Sequence, residues 1–137
     1  SIVCGTMSEQ MRANQVKRTL CDGDVAVGTM IFEFGTTGIV RLTAEAGADF
    51  AVFDCEHTGW SIETIRTLLA TTGGTEIVPI VRVPATQYHF LARALDVGAM
   101  GLMVPMVDSA EQARQIVQFA KYPPAPLRSA GDPGVHR

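Results

Sequence analysis

Three ionisable side chains follow a short apolar run near the middle of the chain. The run over residues 50–53 stops at Asp54, and Glu56 and His57 come soon after it. A second apolar run ends in the same way at Arg82, 25 positions after His57. Catalytic groups of α/β enzymes stand at the carboxyl ends of parallel strands. The pattern therefore predicts two strands that bring carboxylates, an imidazole and a guanidinium to one edge of a sheet.

These residue types suit a reaction that needs a base and a fixed cation. His57 can act as the base, because histidine titrates near neutral pH. The guanidinium of Arg82 stays charged and can offer two aligned donors to an oxyanion or a carboxylate. Asp54 could orient the imidazole through a hydrogen bond. Two structural alternatives stay open: His57 as a hydrogen-bonding loop residue, and Arg82 as the ion-pair partner of Asp54 or Glu56.

Glycines recur at an almost fixed period and divide the chain into similar units. Gly47, Gly73 and Gly98 are 26 and 25 residues apart, and each follows a helix-like stretch and precedes an apolar run. Glycine is common just past a helix end, where φ is positive, so each is predicted to mark the change from helix to strand. The pattern predicts a leading helix over 7–21, strands over 26–32, 50–54, 77–83 and 101–107, and helices over 37–46, 62–71, 87–97 and 110–121.

The predicted strands are near-continuous apolar runs, which are typical of parallel strands covered on both faces. Successive βα units fit either an open doubly wound sheet or part of a (β/α)8 TIM barrel, which takes about 250 residues when complete. The first βα turn, residues 28–35, has neither a G-x-G-x-x-G arrangement nor a Walker-type lysine. We predict an α/β chain that forms about half of a (β/α)8 barrel over residues 1–124. An irregular Pro-, Arg- and Gly-rich tail is predicted over 125–137.

Composition narrows the classes of function. The length of 137 residues and the 47% hydrophobic content fit one globular domain. A net charge of −3 without a basic run argues against a nucleic-acid surface. Cys4, Cys21 and Cys55 lack the spacing of a zinc site or a disulfide framework, which favours a reducing cytoplasm. The sequence has no apolar stretch of the roughly 20 residues that cross a bilayer, and no signal pattern at its start, so no membrane partner is predicted.

Five motifs, in this order and spacing, resemble one known family. They are FDCEH (53–57), PIVRVP (79–84), LDVGA (95–99), LMVPMV (102–107) and AKYPP (120–124). The pattern resembles the HpcH/HpaI aldolase/citrate lyase family, and more narrowly its 2-keto-3-deoxy-sugar-acid and 4-hydroxy-2-oxoheptanedioate aldolases. The resemblance runs from about Gly28 to Pro124 and covers the first half of that family's barrel.

The resemblance implies a metal-dependent class II aldolase that cleaves a 4-hydroxy-2-oxo acid to pyruvate and an aldehyde. Mg²⁺, Mn²⁺ or Co²⁺ would hold the pyruvate enolate. His57 matches the family's general base, Arg82 its enolate-stabilising arginine, and Asp96 the aspartate that raises the basicity of the histidine. Because Asp96 is expected at the far end of a helix from its own His57, we predict a homo-oligomer in which it serves the histidine of an adjacent subunit.

The chain departs from the family pattern in two places. The family's metal ligands, a glutamate and an aspartate, come from later strands, and no residue of this sequence matches them. Asp54 and Glu56 would be a poor substitute, since hard divalent ions need several oxygen ligands. After residue 124 little of the family's Gly- and Arg-rich loop is retained, which predicts a truncated or frame-shifted product. Four strands would also leave two sheet edges and an apolar inner face for a second copy or another polypeptide to cover.

Three functions stay open on the sequence. The first is a carbon–carbon lyase that depends on metal ligands from a partner chain. The second is a non-catalytic remnant or interaction module of the same fold. The third is a different α/β enzyme, in which His57, Asp54 and Arg82 handle a carboxylate or phosphate substrate without metal.

Overall fold

Helices and strands alternate along the chain in the computed structural model, which describes residues 12–121. The strands are β1 (Gly28–Ile31), β2 (Phe50–Asp54), β3 (Val78–Arg82) and β4 (Gly101–Met103). The helices are α1 (Gln15–Cys21), α2 (Ile39–Glu45), α3 (Ile62–Ala70), α4 (Tyr88–Asp96) and α5 (Ala110–Ala120). The four strands pair in parallel in the order β1-β2-β3-β4. This confirms the predicted α/β class with four βα units behind a leading helix.

The two faces of the sheet carry different residues, because side chains alternate along each strand. The face that packs against the helices forms the core, with Ile31, Ala51, Phe53 and Val81 against Ile65 and Leu68 of α3.

The opposite face, here called the inner face, would line the interior of a closed barrel. Its rows, from the amino to the carboxyl ends of the strands, are Gly28, Phe50 and Val78; then Met30, Val52, Ile80 and Gly101; then Asp54, Arg82 and Met103. The charged residues therefore stand in the row at the carboxyl ends.

Two inner-face glycines make room for large neighbours. A Cβ added at Gly28 would collide with the ring of Phe50, and one at Gly101 would lie 3.2 Å from Cγ1 of Ile80. Glycine at these positions lets adjacent strands carry bulky side chains in the same row.

Two of the three periodic glycines end helices as predicted, and the third does not. Gly47 has φ +85° just beyond α2, and Gly98 has φ +110° just beyond α4. Gly73 instead belongs to a 3-10 turn, Thr71–Gly74, that continues α3. The prediction of a positive-φ glycine at Gly73 was therefore wrong.

Side-chain donors explain why α3 ends without a left-handed glycine. The hydroxyls of Thr71 and Thr72 each donate to a carbonyl three residues earlier. The guanidinium of Arg12 donates to the carbonyls of Thr72, Thr75 and Ile77. The two hydroxyls satisfy carbonyl groups in the last turn of α3, and Arg12 satisfies those of the 3-10 turn and the residues after it. The chain therefore leaves the helix without a glycine in the positive-φ region.

Several predicted boundaries were too wide. β4 ends at Met103 and does not continue to residue 107; Pro105 has no N–H for a sheet bond, and Met106 turns the backbone to φ +55°. α1 begins at Gln15, where the side chain of Asn14 caps the first turn by accepting from Lys17 N–H. The earlier part of the predicted leading helix, 7–11, and the predicted tail, 125–137, lie outside the described residues.

α1 covers the amino-terminal end of the inner face, where Val16 and Leu20 share a surface cavity with Val78 and Ile80. Large exposed apolar side chains collect at the two edge strands and the loops that follow them: Phe32, Phe34, Met103, Met106 and Val107. None of the helices in residues 12–121 is long and apolar enough to cross a membrane.

Candidate active site

The carboxyl ends of β2 and β3 hold an ion pair between Asp54 and Arg82. The two residues are register partners on adjacent strands. Arg82 Nε donates to Asp54 Oδ1 at 2.8 Å, and Arg82 Nη2 donates to Oδ2 at 2.7 Å. This two-point geometry joins one edge of the guanidinium to both carboxylate oxygens and fixes the plane of the guanidinium. The structure therefore contains the ion pair between Arg82 and Asp54 that the sequence left open as a structural role for Arg82.

Asp54 also holds the turn that carries His57. Its side chain is only 2% exposed. Oδ1 accepts from the backbone N–H of Glu56 at 2.8 Å and from that of His57 at 3.4 Å. The hydroxyl of Thr58 donates to the Asp54 carbonyl. One carboxylate thus positions both the guanidinium and the start of the turn after β2.

The imidazole of His57 lies beside Glu56 and is largely open to solvent. Its side chain is 70% exposed, and Nε2 is 3.6 Å from Glu56 Oε2. The same carboxylate oxygen is 3.4 Å from Arg82 Nε. The structure therefore brings His57, Arg82, Asp54 and Glu56 together. It differs from the sequence-based expectation in one contact: the oxygens of Asp54 bind Arg82 and backbone N–H groups, so Glu56, and not Asp54, is the carboxylate beside the imidazole.

The ion pair controls the titration of the site. The hydrogen bond from Arg82 lowers the pKa of Asp54 from 3.8 to about 2, against the effect of burial and with help from the backbone N–H groups of Glu56 and His57. The same bond to Asp54 raises the pKa of Arg82. Burial, with a smaller effect of the Asp54 charge, raises the pKa of the neighbouring Cys55 thiol to about 11. At neutral pH the site therefore holds an ionised carboxylate and a guanidinium cation, and the thiol that follows Asp54 in the chain is protonated.

Asp96 lies at the opposite end of the sheet from this cluster. It is the last residue of α4, which runs back from the carboxyl end of β3 toward the amino end of β4. Asp96 is half-buried there. The structure does not bring Asp96 to its own His57, in agreement with the argument that any action on a histidine would need an adjacent subunit.

The divalent metal implied by the resemblance does not fit the described residues by themselves. Within residues 12–121 no group of three or more His, Cys, Asp or Glu side chains could hold a metal ion. Both oxygens of Asp54 face Arg82, and Glu56 lies close to the same guanidinium. A second cation at these carboxylates would be repelled by Arg82 and would find too few oxygens.

Met103 beside Arg82 was missed by the sequence reasoning. It pairs with Arg82 in the β3–β4 register and is 42% exposed. Both residues end their strands, so aligning the carboxyl ends of the two strands would have predicted that they are neighbours. Because β4 was predicted to continue to residue 107, its end was aligned with the wrong residue.

Comparison with known proteins connects this arrangement to one family. The family described as HpcH/HpaI aldolase/citrate lyase matches residues 29–133. The chain is 36% identical over 118 residues to a hydroxypyruvate/pyruvate aldolase of Roseovarius nubinhibens, covering 86% of this chain and 46% of the relative. It is 32% identical over 118 residues to a 2-keto-3-deoxy-L-rhamnonate aldolase of Shigella dysenteriae, covering 86% of this chain and 44% of that protein.

Solved structures share the fold. A crystal structure of an HpcH/HpaI aldolase from Desulfitobacterium hafniense superposes with a TM-score of 0.82 at 38% identity, covering 88% of this chain and 46% of that one. The citrate synthase SbnG superposes with a TM-score of 0.74 at 34% identity, covering 84% and 46%. The chain thus spans about half the length of the relatives it matches. Since the family match covers most of the sequence, this chain belongs to the HpcH/HpaI aldolase/citrate lyase family.

Proposed function

We propose that this chain supplies the base and the cation of a carbon–carbon lyase that cleaves a 4-hydroxy-2-oxo acid to pyruvate and an aldehyde. The observation that carries the proposal is the two-point Asp54–Arg82 pair beside His57 at the carboxyl ends of β2 and β3. Two relatives named as aldolases of hydroxypyruvate/pyruvate and of 2-keto-3-deoxy-L-rhamnonate support the substrate class. Because the chain spans about half their length, the complete site needs the rest of the barrel from another polypeptide segment.

In the proposed reaction His57 takes the proton of the C4 hydroxyl. The C3–C4 bond then breaks, the aldehyde leaves, and the electron pair of that bond becomes the enolate of pyruvate. Protonation of the enolate at C3 completes the cleavage. The imidazole is suited to this step, since it stands 70% exposed at the rim and is not buried against the sheet.

Arg82 stabilises the charge that develops on the C2 oxygen. A guanidinium has five N–H donors, and Asp54 uses two of them. The remaining three have no partner among residues 12–121 and can donate to an oxyanion or a carboxylate, and 20% of the side chain is exposed. Since Asp54 and Glu56 already hold the guanidinium, little reorganisation is needed when charge develops, which is the condition for effective electrostatic stabilisation.

The family is one of class II, metal-dependent aldolases, and the metal supplies further positive charge to the enolate when it is bound. Residues 12–121 hold no group of three or more His, Cys, Asp or Glu side chains that could bind it by themselves. The proposal therefore places the ligands in the half of the barrel that this chain does not contain. The role of Asp96 at the His57 of an adjacent subunit, within a homo-oligomer, belongs to the same proposal, and a sizing experiment that finds only monomers would contradict it.

A second candidate function is a non-catalytic remnant or interaction module. It is favoured by the exposed apolar side chains at both sheet edges and by the lack of a metal-binding group within residues 12–121. The lyase and the remnant make opposite predictions for enolate formation, which can be followed without knowing the aldehyde.

The test is exchange of the pyruvate methyl protons in heavy water by this chain together with the segment that completes the barrel, followed by proton NMR with and without Mn²⁺. Enolate formation from pyruvate is the reverse of the last step, so a lyase should exchange these protons. Metal-dependent exchange supports the proposal, and metal-independent exchange favours a metal-free enzyme. No exchange, together with no Mn²⁺ binding by calorimetry, favours the remnant.

A further inference from the structure

A cavity of about 290 Å³ lies behind the sheet, on the face opposite the Asp54–Arg82 pair. Its walls come from the ends of β2 and β3 and from α3 and α4; they include Cys55, Trp60, Ile62, Val81, Val83, Phe90 and Arg93. These elements are in the middle of the described fold, away from the edges at β1 and β4. The cavity is therefore formed within this chain, whatever covers the two edges.

The alternation of side chains separates the cavity from the active site. Val81 and Val83 line the cavity, whereas Arg82 between them points to the inner face and binds Asp54. Cys55, the residue after Asp54, also lines the cavity, and its N–H donates to the Arg82 carbonyl at 2.8 Å. The same two strand ends thus present charged groups on one side and a mostly apolar cavity on the other.

The polar groups of the cavity favour an anion. Arg93 has no ion pair within 4 Å among residues 12–121. Glu63, the acidic group of the wall, is exposed in the first turn of α3, where the hydroxyl of Ser61 donates to it at 3.2 Å and the positive end of the helix dipole offsets part of its charge. The guanidinium of Arg93 is therefore the charge of the wall that nothing among residues 12–121 offsets by an ion pair, while most of the wall is aromatic and aliphatic. The volume of about 290 Å³ lies just below the range of typical small-molecule sites, about 300–1,000 Å³, and suits a ligand of few atoms.

We propose that this cavity is a second ligand site, which binds a small aromatic monocarboxylate with its ring against the apolar wall and its carboxylate at Arg93. Cys55 and Trp60 bracket the turn that carries His57, and that turn is held from the other side by Asp54. A ligand in the cavity therefore contacts the active-site turn from behind. The site is placed to change the position of His57 without touching the substrate.

Trp60 gives a built-in probe, because it is the only tryptophan of the chain. Titration with phenylacetate should give a saturable change in tryptophan fluorescence, with a dissociation constant on the order of 1 mM for so small a ligand. The neutral phenylacetamide should bind about fivefold more weakly, since it loses a partly exposed charge pair. Arg93→Gln should abolish this preference. Arg66→Gln, the same charge change at an exposed position of α3 outside the cavity wall, should leave it unchanged.

Alkylation of Cys55 gives an independent readout. Burial raises the pKa of this thiol to about 11, so it should react slowly, while the exposed Cys21 serves as an internal reference. Phenylacetate should slow the labelling of Cys55 and leave that of Cys21 unchanged. The proposal is overturned if Trp60 shows no saturable change, if Arg93→Gln keeps the preference for the acid, or if phenethylamine binds more tightly than phenylacetate. Neither pyruvate nor metal is used, so the outcome is independent of the lyase test.

Discussion

Replacing Asp54 by asparagine removes the charge that holds Arg82 and leaves a side chain of nearly the same size. In the folded chain the pKa of Asp54 is about 2, against an ordinary value of 3.8. That difference corresponds to about 2 kcal/mol in the free energy of unfolding. Because the Arg82 side of the pair is partly open to water, screening reduces the contribution to about 1–2 kcal/mol.

The lowered pKa fixes the pH range in which this stability is lost. The unfolded chain takes up the proton near pH 3.8, whereas the folded chain keeps Asp54 ionised until the pH falls to about 2. The contribution is therefore complete above the unfolded value and disappears as the pH falls through the folded one. Asp54→Asn should lack this part of the acid dependence, and near neutral pH it should be less stable than the wild type by about 1–2 kcal/mol.

Urea unfolding followed by circular dichroism, near neutral pH and at steps between about pH 4 and about pH 2, measures both quantities. Glu111→Gln is the matched control, since Glu111 forms an exposed pair with Arg114 at 2.6 Å and should change stability by less than about 1 kcal/mol. The reasoning is refuted if Asp54→Asn is as stable as the wild type near neutral pH. It is also refuted if the two proteins lose stability in parallel over the acid range.

Two other substitutions test the site and the inner face. His57→Ala should abolish metal-dependent exchange of the pyruvate methyl protons and leave urea stability within about 0.5 kcal/mol, because the imidazole is largely exposed; a large loss of stability would assign His57 a structural role. Gly28→Ala should destabilise by about 1–3 kcal/mol, since the new Cβ collides with the Phe50 ring. Gly38→Ala, with no atom within 4 Å of the added Cβ, is its control, and equal stability of the two variants would contradict the packing argument.

The sequence was sufficient for the order of the elements but not for how each one ends. Apolar periodicity and Gly47 and Gly98 located the βα units, because a positive-φ glycine is a local requirement. The end of α3 could not be read in this way. The last carbonyl groups of α3 accept from the hydroxyls of Thr71 and Thr72. The 3-10 turn that follows is held by Arg12, some 60 residues earlier in the chain, and a contact of that sequence separation leaves no local signal at Gly73.

The site residues could be predicted as a group, whereas their partners could not. Strand ends that carry Asp54 and Arg82 are visible in the sequence, and the parallel register then makes them neighbours. Which carboxylate faces the imidazole depends on the turn after β2, where two backbone N–H groups compete for Asp54. Because the oxygens of Asp54 accept from these groups and from Arg82, the carboxylate beside the imidazole of His57 is that of Glu56.

The central claim is that Arg82, held in place by Asp54, stabilises the enolate. Its most direct test is the rate of Mn²⁺-dependent exchange of the pyruvate methyl protons in Arg82→Lys compared with the wild type, each together with the segment that completes the barrel. Lysine keeps the positive charge but cannot form the two-point contact, so the account predicts exchange in the wild type and a rate slower by about 100-fold or more in the variant. Equal rates in the two assemblies, or no exchange by the assembly that contains the wild-type chain, would contradict it.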